Sequence, residues 1–169
     1  MGAILITGGA GFIGSNLAEY LLQMKKQIIV IDIKNNPQNL EKFIEKVEYF
    51  SLDIKNYKSV EKIFSLYDDI EGIIHLAAVS RVIWGEENPE LCISTNIGGI
   101  ENILNAIANM KTKPWLIFGS SREVYGEPNK FPVKENFPKN PINIYARTKL
   151  IGESMVRNYS KKYKIKSAI

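Results

Sequence analysis

Tyr145 and Lys149 are four residues apart near the start of a segment whose apolar spacing predicts a helix. At that spacing both side chains lie on one helix face, which places the lysine ammonium beside the tyrosine phenol. A free tyrosine ionises only at about pH 10, so it serves as a base at neutral pH where neighbouring positive charge favours the phenolate. A Tyr and Lys at this spacing are also common on exposed helix surfaces, so the interpretation depends on the residues around them.

A second polar group, the segment SSREVYG from Ser120 to Gly126, directly follows a strand-like apolar run. Ligands of open parallel α/β sheets bind at the carboxyl ends of the strands, so this position suits a site. The Ser121 hydroxyl can hold a substrate oxygen there. Glu123 lies in the same segment and can be a salt-bridged loop residue.

The glycine-rich segment near the N-terminus has the chemistry of a phosphate site. Gly8, Gly11 and Gly14 have the spacing G-x-x-G-x-x-G between the first predicted strand and the first predicted helix, which begins with Phe12 and Ile13. Glycine allows a tight turn and close approach of a pyrophosphate, while the free N–H groups and the dipole of a helix N-terminus favour negative charge. A glycine turn without a ligand is the alternative, which the strand-turn-helix context disfavours.

Asp32 lies at the end of the second predicted strand, 18 residues after Gly14. A carboxylate there can accept both hydroxyls of a ribose and would repel a 2'-phosphate, which favours NAD over NADP, although the nearby Lys34 can soften that discrimination. A turn cap is the alternative for Asp32. After the third predicted strand, Asp53, followed by Ile54, can accept from an adenine amino group or cap a helix.

Short apolar runs alternate with longer segments of helical apolar spacing. The strand-like runs are Ala3–Thr7, Ile28–Asp32, Val47–Leu52, Gly72–His75 and Trp115–Gly119. The helical segments are Phe12–Met24, a weaker one at Leu40–Ile44, Ser59–Leu66, Pro89–Met110 and Ile144–Tyr163. Because parallel strands need crossover connections and right-handed crossovers dominate, this order predicts an α/β fold, a doubly wound parallel sheet with helices on both faces.

The segment 127–143 contains four prolines and is interpreted as a long irregular loop, of the kind that often covers a site. After the last predicted helix, the residues Ile165–Ile169 have the pattern of a strand that is just beginning. We therefore interpret residues 1–169 as one NAD-binding Rossmann domain with a sixth strand just beginning at Ile165–Ile169.

Composition disfavours several other classes of protein. The chain has 169 residues, 45% of them hydrophobic and 24% charged, and its net charge of +4 is scattered rather than clustered as on a nucleic-acid-binding surface. The single cysteine, Cys92, excludes an internal disulfide or a cysteine-rich zinc site, and we predict no metal site. The lone cysteine indicates a reducing, cytoplasmic setting. Because the sequence has neither a stretch of about 18 apolar residues nor a secretory leader, we expect a protein that is not secreted and has no membrane partner.

Six features together resemble one family. They are TGGAGFIG at 7–14, Asp32, HLAA at 75–78, NIGG at 96–99, SSREVYG at 120–126 and YARTK at 145–149, in the family's order along essentially the whole chain. The chain resembles the extended short-chain dehydrogenase/reductases, in particular the group of NAD-dependent nucleotide-sugar epimerases and dehydratases.

The resemblance implies a catalytic triad of Ser121, Tyr145 and Lys149, in which Tyr145 removes a proton from a sugar hydroxyl as hydride passes to NAD. Ser121 would orient that hydroxyl, and Lys149 would also hold the cofactor ribose. Further cofactor contacts are expected from Ile54, Leu76, Ala77, Ala78 and Asn96. Asn96 has a packing interpretation as well, and we expect His75, at a strand end, to be structural.

The resemblance also implies that the chain is truncated at the start of its sixth strand and lacks most of the family's C-terminal substrate domain. It leaves the reaction and the substrate open. A glutamate at position 123 is typical of the dehydratases and decarboxylases rather than the UDP-galactose epimerases, and it could remove a proton beside a transient ketone. The dehydratases pair it with an aspartate, whereas Arg122 stands there in this chain. We expect a nucleotide-sugar substrate, no nucleic-acid partner, and a homodimer paired through Pro89–Met110 and Ile144–Tyr163. A truncated or repurposed NAD-binding module without chemistry is the alternative.

Overall fold

A computed structural model describes residues 2–169 as one six-stranded parallel sheet. Its strands lie in the order β3-β2-β1-β4-β5-β6, and every neighbouring pair is parallel. The bounds are β1 Ala3–Thr7, β2 Ile28–Asp32, β3 Glu48–Ser51, β4 Ile70–His75, β5 Trp115–Phe118 and β6 Ser167–Ala168. The chain therefore reverses its direction of progress between β3 and β4, which places a crevice outside the carboxyl ends of β1 and β4.

Six α-helices connect the strands: α1 Phe12–Gln23, α2 Tyr57–Leu66, α3 Val82–Glu87, α4 Pro89–Ile93, α5 Gly99–Asn109 and α6 Ile144–Tyr163. A π-helical turn, Ser94–Gly98, joins α4 to α5. Shorter 3-10 turns occupy Gln38–Leu40, Ile44–Lys46 and Arg122–Tyr125.

The apolar runs become strands because the central ones are covered on both faces. Every residue of β1 and of β2 is buried, whereas both residues of the edge strand β6 are exposed. One apolar cluster packs α1 against β1 and β2, and the other packs α2, α5 and α6 against the opposite face. The sheet is thus a rigid central layer that fixes where each strand ends.

The predicted doubly wound α/β fold is confirmed, with three local differences. The weak helix at Leu40–Ile44 does not form; two 3-10 turns flank that segment, whose apolar side chains Leu40 and Phe43 are held by the α1 cluster. Helix α3 was not predicted, because six residues containing a glycine show too short a period. The predicted helix Pro89–Met110 is interrupted by the π turn.

Backbone hydrogen bonds join the strand ends that carry the candidate residues. The Gly8 N–H donates to the Ile31 carbonyl at 2.7 Å, and the Leu76 N–H donates to the Thr7 carbonyl at 3.0 Å. The Gly119 N–H donates to the His75 carbonyl at 3.0 Å. The segments after β1, β4 and β5 therefore meet at one edge of the sheet.

Candidate cofactor and catalytic site

The glycine turn after β1 is too tightly packed for side chains at Gly8 and Gly14. Gly8 has a φ of +71°, and a Cβ built there would lie 2.7 Å from the Ala77 nitrogen. A Cβ on Gly14 would lie 2.4 Å from the Gly8 carbonyl oxygen. Glycine at these positions therefore lets α1 begin directly against the strand ends, which is the close packing that a pyrophosphate turn requires.

The N-terminus of α1 offers free backbone donors at the surface. Gly11 caps the helix without a side-chain hydrogen bond, so the N–H groups of the first turn have no side-chain acceptor. Phe12 is 82% exposed and Ile13 is 66% exposed, although both are large apolar residues. Free N–H groups at a helix N-terminus, bordered by exposed apolar side chains, fit the pyrophosphate and ring surfaces of a dinucleotide.

Asp32 is buried at the end of β2 and is tied to the glycine turn. Its Oδ2 accepts from the Ala10 N–H at 3.0 Å and its Oδ1 from the Lys34 N–H at 3.2 Å, so it does cap a turn. A carboxylate has about four acceptor sites, which leaves capacity for two ribose hydroxyls. The Lys34 ammonium donates to the Ala10 carbonyl at 3.1 Å, so it lies against the glycine turn itself.

Asp53 does not cap a helix, and the side chain of Ile54 is buried away from the surface. Asp53 accepts from the Lys55 N–H at 2.9 Å and pairs with its ammonium at 3.5 Å, while Asn56 caps α2, so the helix-cap alternative for Asp53 is wrong. The Ile54 side chain is buried beneath Gly99, where an added Cβ would lie 2.3 Å from Ile54 Cδ1. Because its side chain is covered, Ile54 could contact a cofactor only through its backbone atoms.

The residues after β4 form the floor of the crevice. Leu76, Ala77 and Ala78 are partly buried, and the Ala77 N–H donates to the Thr7 hydroxyl at 3.3 Å. His75 is buried, hydrogen-bonded through Nδ1 to the same hydroxyl at 2.8 Å and stacked on Phe118. Burial, with a smaller contribution from the charge of Lys149, lowers the pKa of His75 to about 3, so its imidazole is a neutral packing element.

Tyr145 and Lys149 point into the protein rather than lying on an exposed helix surface. Tyr145 is 8% exposed and Lys149 is 5% exposed, with the Lys149 Nζ 5.9 Å from the centre of the Tyr145 ring. The Lys149 Nζ donates to the Gly119 carbonyl at 2.7 Å. Burial lowers the pKa of Lys149 to about 8. The pair therefore stands at the carboxyl end of β5, beside the segment that carries Ser121.

Ser121 caps the 3-10 turn that follows β5, and Glu123 lies within that turn. The Ser121 hydroxyl accepts from the Glu123 N–H at 3.2 Å. The Glu123 carboxylate accepts from Arg122 at 2.7 Å and, through its other oxygen, from Asn143 Nδ2 at 3.1 Å. The salt-bridged interpretation of Glu123 therefore describes its contacts, and both of its oxygens are engaged.

Asn96 is a buried connector between the crevice floor and α6. Its Oδ1 accepts from the Val79 N–H at 2.8 Å, and its Nδ2 donates to the Val79 carbonyl at 3.2 Å and to the Thr148 hydroxyl at 2.9 Å. Thr148 in turn donates to the Tyr145 carbonyl at 2.7 Å. Asn96 lies on the π turn, a departure from α-helical geometry that is frequent at functional sites. The contacts match the packing interpretation and also hold the first turn of α6.

Three further residues near the site were missed from the sequence. Asn143 caps α6 by accepting from the Ala146 N–H at 2.7 Å, and Glu86 accepts from the Ile144 N–H at 2.8 Å. Glu153 is buried against Ser120. The position of Asn143 just before the apolar period is a helix-start signal that could have been used. The other two act across long sequence separations, which no local pattern reveals.

Residues 2–169 contain neither a metal-binding cluster nor a membrane-spanning helix. No group of three or more His, Cys, Asp or Glu side chains there could hold a metal ion. None of the helices in that range is long and apolar enough to cross a bilayer.

Four features define the class of the protein. They are the strand order, the glycine turn after β1, the acid at the end of β2 and the Tyr-Lys pair of α6 beside the end of β5. Together they define a dinucleotide-binding Rossmann domain of the extended short-chain dehydrogenase/reductase type. Residues 5–169 match the family model described as GDP-mannose 4,6 dehydratase. The chain belongs to that family of extended short-chain dehydrogenase/reductases.

Known relatives are named as epimerases. The chain is 36% identical over 168 residues to a putative UDP-glucose 4-epimerase of Methanocaldococcus jannaschii. This alignment covers 98% of the chain and 53% of the relative. It superposes on the UDP-glucose 4-epimerase of Brucella ovis in complex with NAD with a TM-score of 0.90 at 30% identity, covering 99% of this chain and 50% of that one. For the Thermotoga maritima UDP-glucose 4-epimerase with UDP-glucose, the TM-score is 0.90 at 31% identity, with coverage of 98% and 53%. The chain thus spans about half the length of the curated relatives it matches.

Proposed function

We propose that this chain is the NAD-binding part of a nucleotide-sugar 4-epimerase that oxidises a sugar hydroxyl to a transient ketone. The observation that carries the proposal is the burial of Tyr145 and Lys149 at the sheet edge, with Lys149 bonded to Gly119 two residues before Ser121. A buried phenol beside an ammonium, at the ligand-binding edge of a parallel sheet, is an arrangement for proton transfer.

The residues present fit NAD. The Gly8–Gly14 turn and the free N–H groups of α1 suit the pyrophosphate, Asp32 suits the adenosine ribose hydroxyls, and Asp53 is proposed for the adenine amino group. The carboxylate of Asp32 favours NAD over NADP, because a 2'-phosphate would meet its charge. When bound, NAD supplies the nicotinamide ring that accepts a hydride from the sugar.

In this proposal the side chains at the edge divide the proton chemistry. Tyr145 takes the proton of the sugar hydroxyl, and Ser121 orients that hydroxyl and the ketone that replaces it. Lys149 supplies the positive charge that favours the tyrosine phenolate and binds the cofactor ribose. Because the pKa of Lys149 is lowered to about 8, most of its amine carries this charge at neutral pH and loses it as the pH rises past that value.

Epimerisation is favoured over dehydration. Relatives of the chain are named UDP-glucose 4-epimerases, which also favours a UDP-sugar as the substrate. Glu123 is the residue proposed for dehydration chemistry, and its two oxygens already accept from Arg122 and Asn143. Acting as a base at a sugar carbon would require it to release one of these partners.

Tyr145→Phe tests the proposal. It removes the proposed base and keeps the ring, so conversion of UDP-glucose to UDP-galactose is expected to fall by at least about a hundredfold, while NAD affinity stays within about twofold. Tyr20→Phe, on the exposed side of α1, is the matched control and is expected to behave as the unaltered chain.

Retained turnover in Tyr145→Phe would refute the assignment of Tyr145. NAD binding without turnover in the unaltered chain would favour the second candidate, a cofactor-binding module without chemistry.

We further propose a homodimer formed through the helices around the site. Helices α4 and α6 expose apolar side chains to solvent, which is unfavourable in water; these are Leu91, Ile93 and Ile151. Pairing these helices with those of a second copy would cover them.

A further inference from the structure

Glu153 is a buried carboxylate that the proposed chemistry does not use. It lies on α6 one turn beyond Lys149 and is 2% exposed. Its Oε1 accepts from the Ser120 hydroxyl at 2.7 Å, and its Oε2 accepts from Arg157 at 2.9 Å and pairs with the Lys139 ammonium at 3.3 Å. Burial raises the pKa of this carboxyl, but the hydrogen bonds from Ser120, Arg157 and Lys139 outweigh it and leave the pKa below its usual value. Glu153 is therefore an anion at neutral pH.

The Ser120 contact is one of three that join α6 to the segment after β5. Lys149 donates to the Gly119 carbonyl at 2.7 Å, Glu153 accepts from Ser120, and Asn143 bridges to Glu123 at 3.1 Å. Because residues 149 and 153 are one helical turn apart, they hold two consecutive residues of the strand end. The backbone that carries Ser121 is thereby fixed relative to the helix that carries Tyr145.

The Lys139 contact brings the proline-rich loop into the same network. Lys139 belongs to the segment 127–143, and its ammonium lies 4.5 Å from the centre of the Tyr125 ring. The Asn140 N–H donates to the Val124 carbonyl at 3.0 Å, so the loop is also tied to the 3-10 turn. Glu153 thus contacts both the loop, through Lys139, and the strand end beside Ser121, through Ser120.

We propose that Glu153 is a positioning residue that couples the proline-rich loop 127–143 to the placement of Ser121 and Lys149. The inference rests on the proposed function for its catalytic meaning. The contacts themselves give a test that does not need turnover, because each of them can be removed separately.

Four variants separate the contacts. Glu153→Ala removes all of them, and Ser120→Ala removes only the strand-end contact. Lys139→Met removes the loop contact together with the contact between Lys139 and the Tyr125 ring. Glu153→Gln keeps an oxygen that can accept from Ser120 but loses the charge that attracts Lys139. Arg157→Met is the matched control, because Arg157 is an exposed partner of the same carboxylate that touches neither segment.

Amide hydrogen exchange measures the effect on each segment. A peptide that covers 119–126 reports the strand-end contact, one that covers 136–142 reports the loop contact, and a peptide over 5–15 is the reference. Glu153→Ala is expected to speed exchange roughly tenfold in both segments, since hydrogen bonds to a charged group are lost. Ser120→Ala is expected to affect only 119–126, and Glu153→Gln only 136–142. Lys139→Met is expected to speed exchange most in 136–142 and, because it also loses the Tyr125 contact, to a smaller extent in 119–126. The reference peptide and Arg157→Met are expected to show no change.

Rescue of 119–126 by Glu153→Gln is the signature of positioning that a general loss of stability would not produce. Equal acceleration in all three peptides, or none in either segment, would overturn the inference. With UDP-glucose as substrate, Glu153→Ala is expected to lower kcat roughly tenfold with KM little changed, and an unchanged kcat would also overturn it. If the unaltered chain shows no turnover, the proposed function fails, and the exchange pattern alone decides whether Glu153 couples the two segments.

Discussion

The buried ammonium of Lys149 makes the free energy of unfolding depend on pH in a defined window. Its pKa is lowered from 10.5 to about 8 in the folded chain, chiefly by burial. Between these values the unfolded chain binds a proton that the folded chain does not, so stability rises as the pH rises. One pKa unit is worth about 1.4 kcal/mol, so the whole window corresponds to about 3 kcal/mol.

Lys149→Met isolates this effect, because methionine occupies a similar volume without a titrating group. Urea unfolding of both chains at intervals from pH 7.5 to pH 10.5 would give the free energy of unfolding of each. The unaltered chain is expected to gain about 3 kcal/mol relative to the variant across that range. Tyr49 and Tyr67, whose pKa values are raised to about 12, lower stability at the alkaline end, but they do so equally in both chains.

A difference between the two chains that stays constant from pH 7.5 to pH 10.5 would refute the reasoning. It would mean that Lys149 titrates alike in the folded and unfolded states. The proposed charge beside Tyr145 would then lie in a solvated rather than a buried environment.

Three further changes have expected outcomes. Gly14→Ala places a Cβ 2.4 Å from the Gly8 carbonyl oxygen, so it should lower the free energy of unfolding, measured by thermal unfolding, by about 1–3 kcal/mol and weaken NAD binding. Gly98→Ala meets open space and should lower neither the stability nor the affinity for NAD. Equal effects of the two substitutions would contradict the packing argument. Asp32→Asn should raise the Kd for NAD, measured by calorimetry, roughly tenfold and bring it closer to the Kd for NADP. An unchanged ratio of the two Kd values would show that Asp32 does not contact the ribose. Ile151→Lys should turn a dimeric mass in light scattering into a monomeric one; a monomeric mass for the unaltered chain would exclude the proposed homodimer.

The sequence was sufficient where function depends on local spacing. The glycine turn, the acid at the end of β2 and the Tyr-Lys pair all lie within short segments, and strand-helix alternation fixes which edge of the sheet they occupy. The parallel topology follows from the same alternation, and the structure confirms it. These features were predictable because neighbouring residues determine them.

What the sequence could not show are contacts made across the fold. Glu153 resembles any helix carboxylate until Ser120 and Lys139, 33 and 14 residues away, are brought to it. The polar contacts of Asn96 were hidden because they depend on a π turn, which has no clear sequence signature. Helix α3 is defined mainly by packing against α4 and α6, so its six residues did not predict it.

The melting temperature of the chain with NAD, alone and together with UDP-, dTDP-, GDP- and CDP-sugars, tests the central claim most directly. A ligand that binds the folded state raises it, and saturation at about a hundred times the Kd adds about 2.7 kcal/mol. The proposed function predicts a rise with NAD and a further rise with UDP-sugars. Stabilisation by NAD with no further rise from any nucleotide sugar would contradict it and indicate a cofactor-binding module without a substrate site.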